Sequence, residues 1–361
     1  MTGDLAGDFR AARQVLESAA REKVFPAAVA ETGTASETLW RTSVGRLTYD
    51  DNAPPASAET VFDLASLTKV LATTGLVLEA AAAGTLGLDD PVRLWLPSWR
   101  GPDRAGATIR HLLLHASGLP GWLPLYEKHA GRDQYESAIA ETPLEYEPAT
   151  RSVYSDLGFI LLGFILEDMG GSLAGQASRL FERLGARDLR FLPPAEWRVR
   201  TAPTRLPPFQ ERPAKPAQRR PLVGEVDDDN AWALGGVSGH AGLFGTVGGV
   251  SAVARAWLRA TTGAGYKGFA APADLVREFT RRGNVPGSSR ALGWDTMLPG
   301  SSCGERMSPL AFGHTGWTGT SVWVDPVRGF YAVLLTNRVH PTPGDDARIR
   351  AVRRAFHDAL A

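Results

Sequence analysis

Strand-like patterning in this chain is confined to its two ends, and that placement limits the folds open to it. Near the start, residues 27–31 and 38–44 alternate apolar and polar side chains around Thr-Gly-Thr-Ala-Ser, which predicts a β-hairpin. Near the end, residues 243–247, 320–325 and 330–337 are rich in β-forming residues. Pro326-Val327-Arg328-Gly329 supplies a four-residue hairpin turn between the last two. Helical spacing flanks both ends: Phe9, Ala12, Val15, Leu16 and Ala19 share one face, and residues 345–360 close the chain as a helix. The middle, about 76 to 239, reads as short helices joined by Gly and Pro turns. Helices start at Asp90-Pro91-Val92 and at Thr108, and an apolar one covers 155–169. The spacing also predicts a helix over 66–83 with Gly84 as its stop. The expected class is α/β (α+β): an antiparallel sheet built from both chain ends, flanked by helices, with an all-helical subdomain inserted.

Composition removes several functions. The 39 basic and 39 acidic side chains balance, so nothing in the net charge favours nucleic acid or an anionic membrane. One cysteine, Cys303, forms neither an internal disulfide nor a multi-thiolate metal site. The longest apolar run, residues 157–166, is too short for a bilayer, which needs ~18 or more. The amphipathic start carries Asp4 and Asp8 and is unlike a signal peptide, so the expected location is the cytoplasm. Residues 193–221 hold eight prolines and little periodicity, a long irregular segment inside the helical middle.

Several motifs fail on context. Gly236-Val237-Ser238-Gly239-His240 lacks the glycine spacing of a nucleophile elbow. Gly263, Gly265 and Gly268 follow a helix rather than a strand, so they do not make a dinucleotide loop. His111 and His115 read as packed or capping residues on one helix face. Asp227-Asp228-Asp229-Asn230 reads as a turn or cap rather than a calcium loop. No metal and no cofactor is expected.

The informative site begins at Phe62-Asp63-Leu64-Ala65-Ser66-Leu67-Thr68-Lys69. A serine and a lysine three apart at a helix start face the same way. The hydroxyl needs a base, and a lysine serves if burial lowers its pKa. Arginine does not substitute, and one of only five lysines, against 34 arginines, falls here. Tyr154-Ser155-Asp156 precedes the apolar helix, where a tyrosine beside the lysine relays the serine proton. His314-Thr315-Gly316-Trp317-Thr318-Gly319-Thr320 precedes a strand. Small residues there admit a substrate backbone, while His314, if cationic, and Thr315 bind its carboxylate or carbonyl.

In this order the three motifs resemble the serine β-lactamase and penicillin-binding protein superfamily, in the branch of class C β-lactamases, DD-carboxypeptidases and esterases. The likeness extends to Leu88-Asp89-Asp90-Pro91-Val92, to Thr108 through Leu119, to Gly235 through Phe244, and to the closing hairpin with Asn337-Arg338. It implies one β-lactamase/transpeptidase-like catalytic domain over about 10–358, with residues 8–75 and 240–361 as its α/β part and 76–239 as its helical part. It further implies Ser66 as acylated nucleophile, Lys69 as activating partner and Tyr154 as proton carrier. The backbone N–H groups of Ser66 and Trp317 would form the oxyanion hole, with Asp156, His314, Thr315 and Gly316 as substrate contacts. Lys69 would have to be neutral or share its proton with Tyr154.

Two positions depart from the family pattern. Asp156 stands where asparagine is usual, and an ionised carboxylate donates no hydrogen bond to a substrate carbonyl. His314 replaces the lysine of true β-lactamases. With the absent signal peptide, these favour a hydrolase of small esters, amides or D-Ala-type peptides over a β-lactamase. A slow-acylating penicillin sensor is the alternative of another class. The expected partner is a small-molecule substrate, with no nucleic acid and no membrane span; the oligomeric state is not encoded in any motif.

Overall fold

The computed structural model describes residues 8–206, 221–263 and 268–361. The first part of the chain forms α1 (Arg10–Arg21), β1 (Ala27–Thr34), β2 (Thr38–Gly45), the short β3 (Phe62–Asp63) and α2 (Thr74–Ala82). The middle forms α3 (Val92–Trp95), α4 (Ile109–Leu113), α5 (Gly131–Glu141), α6 (Asp156–Gly170), α7 (Leu173–Leu184), β4 (Leu189–Phe191) and α8 (Asp229–Ala233). The last part forms β5 (Leu243–Gly245), α9 (Val247–Thr261), α10 (Ala273–Thr280), β6 (Asp295–Thr296), β7 (Phe312–Thr315), β8 (Ser321–Asp325), β9 (Phe330–Thr336) and α11 (Asp346–Asp358).

The main sheet runs β2-β1-β9-β8-β7-β6, every neighbour antiparallel, so the first and last strands of the chain meet at its centre. β1 pairs with β9 from Ala28↔Thr336 to Thr34↔Phe330. The two-residue period of a strand divides their side chains between two cores. Val29, Val322, Val324, Val333 and Leu335 face one core with α9 and the helical middle. Ala28, Ala30, Trp323, Ala332 and Leu334 face the other, against Leu16 of α1 and Ile349 and Phe356 of α11. Helices therefore cover both faces, which is why the alternation expected of a half-exposed sheet is absent from β9: all seven of its residues are buried.

β5 does not join that sheet. It lies between β3 and β4 in a separate three-stranded sheet, which ties residues 62–63 to the middle of the chain. The middle thus adds one short strand to its helices. α6 is apolar all round because it is the core helix of this part, buried from Leu157 to Leu166. Gly163 of α6 sits against Gly239: a Cβ on Gly239 would lie 2.0 Å from the Phe159 carbonyl oxygen. That contact presses the 238–241 segment onto α6. Among the described residues no single helix is long and apolar enough to cross a membrane.

Local expectations met different outcomes. Asp228 caps α8 by accepting from Ala231 N at 2.7 Å, so the acidic run is a cap as read. His111 closes a capping box with Thr108 on α4. His115 is not on that helix; it follows the helix in a left-handed conformation (φ 54°), with its ring turned toward Ser155. The helix expected over 66–83 is helical only from residue 67, and Lys69–Thr73 forms a wide π-turn before α2. Thr73 Oγ1 donates to Gly239 O at 2.7 Å within that turn. The Pro-rich stretch folds a 3₁₀ turn over Ala195–Arg200, and its residues 207–220 lie outside the described residues, as does Gly265 of the glycine motif.

Candidate active site

Ser66 follows a constrained turn. Ala65 holds φ 47°, unusual for a residue with a side chain, and Asp63 supports it by accepting from Ala65 N at 2.8 Å. The second oxygen of Asp63 accepts from Asp227 N at 2.8 Å, bringing the acidic run behind the turn. Burial, then the charge of Asp227, push the Asp63 carboxyl up to about 7.

Lys69 lies one helical turn on, fully buried, and its ammonium is bonded on three sides. Nζ donates to Ser66 Oγ at 2.8 Å, to Asp156 Oδ1 at 2.7 Å and to His240 O at 3.2 Å. Burial opposes the charged form, but Asp156 and then Tyr154 outweigh it, and the pKa is raised above that of an ordinary lysine. This corrects the expectation of a lysine made neutral by burial. The aspartate in place of asparagine is the physical reason: it gives the ammonium a counter-charge.

Tyr154 lies among four basic side chains. Its ring is 5.0 Å from Lys69 Nζ and 5.0 Å from the Arg290 guanidinium, and it packs on His115 (4.7 Å) and His314 (5.7 Å). The two imidazoles are not cations. Burial first, then Arg290 and Lys69, push His314 well below the usual histidine range, and the same causes act on His115. His314 Nδ1 donates to Thr315 O at 2.8 Å, and its Nε2 is buried without a partner among the described residues. A cationic His314 reading a carboxylate is therefore overturned: the site already holds two cations, and a third buried one would be unpaired. Arg290, from the loop between α10 and β6, brings to the cleft a positive charge with no carboxylate partner among the described residues.

The His314–Thr320 loop is fastened to the turn before Ser66. Thr318 Oγ1 donates to Asp63 O at 2.7 Å and Thr320 Oγ1 to Leu64 O at 3.3 Å. Gly316 is glycine for closeness: a Cβ there would lie 2.3 Å from Thr320 Oγ1 and 2.7 Å from Leu64 O. The fastening brings the backbone N–H groups of Ser66 and Trp317 to one wall of the cleft, and neither has a hydrogen-bond partner among the described residues. Such a pair of free donors beside a nucleophile is the arrangement an oxyanion requires. The cleft encloses about 730 Å³ and is bordered by Ser66, Tyr154, Arg290, Thr315 and the half-exposed Trp122 and Trp317.

Behind Lys69, His240 Nε2 lies 2.9 Å from Asp228 Oδ1 and His240 Nδ1 lies 2.8 Å from Ser238 Oγ. Burial alone would raise the Asp228 carboxyl, but His240 brings it down to about 2. Ser238 is buried, so this Ser-His-Asp order is scaffolding for the His240 carbonyl. Asp156, Asp228 and His240 bring ligand-type atoms within 4.8 Å of one another; of these, Asp156 is paired with the Lys69 ammonium and Asp228 with the His240 ring. The structure thus gathers Ser66, Lys69, Tyr154, Asp156, His314, Thr315, Gly316 and Trp317 at one cleft. It adds Arg290, His115, His240 and Asp228. His240 lay in a motif set aside for its glycine spacing, His115 was read as a packed or capping residue and Asp228 as part of a turn or cap; Arg290 has no signature at all.

The Beta-lactamase family model matches residues 12–356. An Escherichia coli (strain K12) protein named "Putative D-alanyl-D-alanine carboxypeptidase" is 31% identical over 328 residues, covering 80% of this chain and 72% of its own length. Among solved structures, EstCE1, described as a hydrolase with promiscuous acyltransferase activity, superposes with a TM-score of 0.75 at 20% identity, covering 96% of this chain and 98% of its own. A class C β-lactamase from Rhodobacter sphaeroides gives a TM-score of 0.72 at 22% identity, covering 97% and 99%. These two likenesses are of fold.

The fastened loop makes a prediction. Gly316→Ala should push the Trp317 N–H away from Ser66 without unfolding the protein. Ser66 labelling by a fluorophosphonate, followed by mass spectrometry, should slow by ~10²-fold, the scale of losing one oxyanion donor. Labelling at the wild-type rate would contradict the assignment of this loop to the site.

Proposed function

Because the chain belongs to the Beta-lactamase family, we propose that it hydrolyses small esters and amides, D-Ala-type peptides among them, through an acyl-enzyme on Ser66. The observation that carries this reading is the Ser66 hydroxyl, 2.8 Å from a buried ammonium and beside two free backbone donors. Ser66 Oγ attacks the substrate carbonyl, and its proton passes to the Tyr154 oxygen as the phenol's own proton moves on to the leaving oxygen or nitrogen. The ester or amide bond then breaks. Water, deprotonated along the same route, releases the acid and restores Ser66. Lys69 remains a cation throughout: it holds the Ser66 oxygen and, with Arg290, favours the transient in which the Tyr154 proton leaves ahead of the arriving serine proton. The N–H groups of Ser66 and Trp317 take the charge of the tetrahedral oxyanion.

The same electrostatics rank the substrates. Arg290 lines the cleft with no carboxylate partner for its guanidinium among the described residues, and it supports binding of substrates that end in a carboxylate. The relative named for D-alanyl-D-alanine carboxypeptidase fits that class. Asp156 offers a β-lactam side-chain amide an acceptor where the family's asparagine offers a donor, which favours esters and peptides over β-lactams. The division into an α/β part (8–75 and 240–361) and a helical part (76–239) is proposed with it, the cleft lying where they meet.

A fluorophosphonate should add one adduct at Ser66 by intact mass and none in Ser66→Ala; no adduct on folded protein, or an equal one in Ser66→Ala, would contradict the acyl-enzyme. In a panel of p-nitrophenyl esters, a D-Ala-D-Ala peptide and a chromogenic cephalosporin, esters or peptide should lead. A cephalosporin lead of ~100-fold in kcat/KM, ~2.7 kcal/mol in barrier, would reverse the ranking. A lasting adduct with no turnover of any substrate would point to a sensor.

Charge reading is separable from chemistry. With His314 held neutral and Arg290 always charged, KM for a carboxylate-bearing substrate should stay flat from pH 5.5 to 8. Arg290→Met should raise that KM by ~10-fold while sparing a neutral ester. A KM that climbs through pH 6.5 in wild type would restore His314 as the charge reader.

A further inference from the structure

The buried Arg353 of α11 has no part in the chemistry above, yet through Nε and Nη2 its guanidinium holds the backbone of one loop. It donates to Gly316 O at 2.6 Å, Thr320 O at 3.0 Å and Gly319 O at 3.3 Å. The next carbonyl, Trp317 O, is taken by Arg338 Nε at 2.8 Å. Arg338 also stacks on the Trp317 ring at 4.5 Å and pairs with Asp346 at 2.6 Å. Arg353 itself has no ion pair with a carboxylate among the described residues, although burying a guanidinium without one is costly. Burial, then the neighbouring Arg338, push it down to about 9, which leaves it charged at neutral pH.

The Gly316 carbonyl and the Trp317 N–H belong to one peptide unit. A trans peptide is planar, so its C=O and N–H point in opposite directions. A cation fixed on the carbonyl side therefore aims the N–H away from the Arg353 guanidinium, and Trp317 borders the cleft together with Ser66. It also polarises the amide, because a charge-assisted bond at the oxygen strengthens donation at the nitrogen. We propose that Arg353 is a positioning residue for the oxyanion hole, holding and polarising the Gly316–Trp317 peptide from behind. This rests on the reading of Trp317 N–H as an oxyanion donor. It assigns α11, distant in sequence from every motif, a role in transition-state binding.

The test compares Arg353→Met, Arg353→Lys and wild type on a p-nitrophenyl ester and on the matching thionoester, whose sulfur is a poor hydrogen-bond acceptor. Arg353→Met should lower kcat for the oxygen ester by about 10- to 100-fold with KM within about twofold. The oxygen-to-thiono rate ratio should narrow by a similar factor, and Arg353→Lys should recover part of both. Should Arg353→Met not fold, Arg353→Lys alone must still narrow the ratio. Folded variants with the wild-type ratio overturn the proposal, whatever their thermal stability. A wild type indifferent to the thiono substitution overturns the oxyanion-hole reading and this proposal with it; Ser66 adduct formation then reports separately whether the acyl-enzyme stands.

Discussion

A lysine ammonium with no exposure to water is the constraint on which the rest of this site depends. Removing such a charge from water costs several kcal/mol, and only close partners offset that. Lys69 finds them in Asp156, Ser66 and the His240 carbonyl, which come from three separate stretches of chain. Each must be fixed to within hydrogen-bond distance. The π-turn at Lys69–Thr73, the contact of Gly163 with Gly239 and the Asp228–His240 pair all serve that end. The arrangement has a consequence for the chemistry: a lysine already paired with a carboxylate is a poor acceptor for the serine proton. In the mechanism proposed here that duty falls to Tyr154, whose ring lies between two cations.

The opposite wall is built on backbone rather than charge. Thr318 and Thr320 fasten the strand-entry loop to the Ser66 turn, and Arg353 and Arg338 hold the carbonyls on its far side. The main sheet makes this workable. β7 and β8 bracket the loop, and α11 lies across the outer face, where Ile349 and Phe356 anchor it in the second core. Placement of two N–H groups thus depends on the packing of the last helix against the sheet.

What could be read from the sequence follows from how local its causes are. Strands at the chain ends, the hairpin turn at Pro326–Gly329, the helix beginning after Ser155 and the cap at Asp228 rest on spacing and on side chains near their own backbone. All four appear in the structure. The Ser66, Tyr154 and His314 motifs were legible in the same way. The charge states were not, because they are set by pairs such as Lys69 and Asp156, 87 positions apart. Burial of His314 beside Arg290 likewise depends on a loop without periodicity or motif. His115 was misplaced because a left-handed residue ended its helix early, and β5 because a three-residue strand does not announce which sheet it joins.

The charge on Lys69 can be observed directly. With only five lysines in the chain, ¹³C labelling at lysine Cε gives few NMR signals, and Lys69→Arg identifies the one that matters. Titrated from pH 6 to 11, the Lys69 signal should keep its ammonium shift beyond the midpoint of the exposed lysines, near ~10.4. In Asp156→Asn, that midpoint should fall. A wild-type Lys69 that loses its proton below pH 8 would contradict the account, and would return the lysine to the role of base.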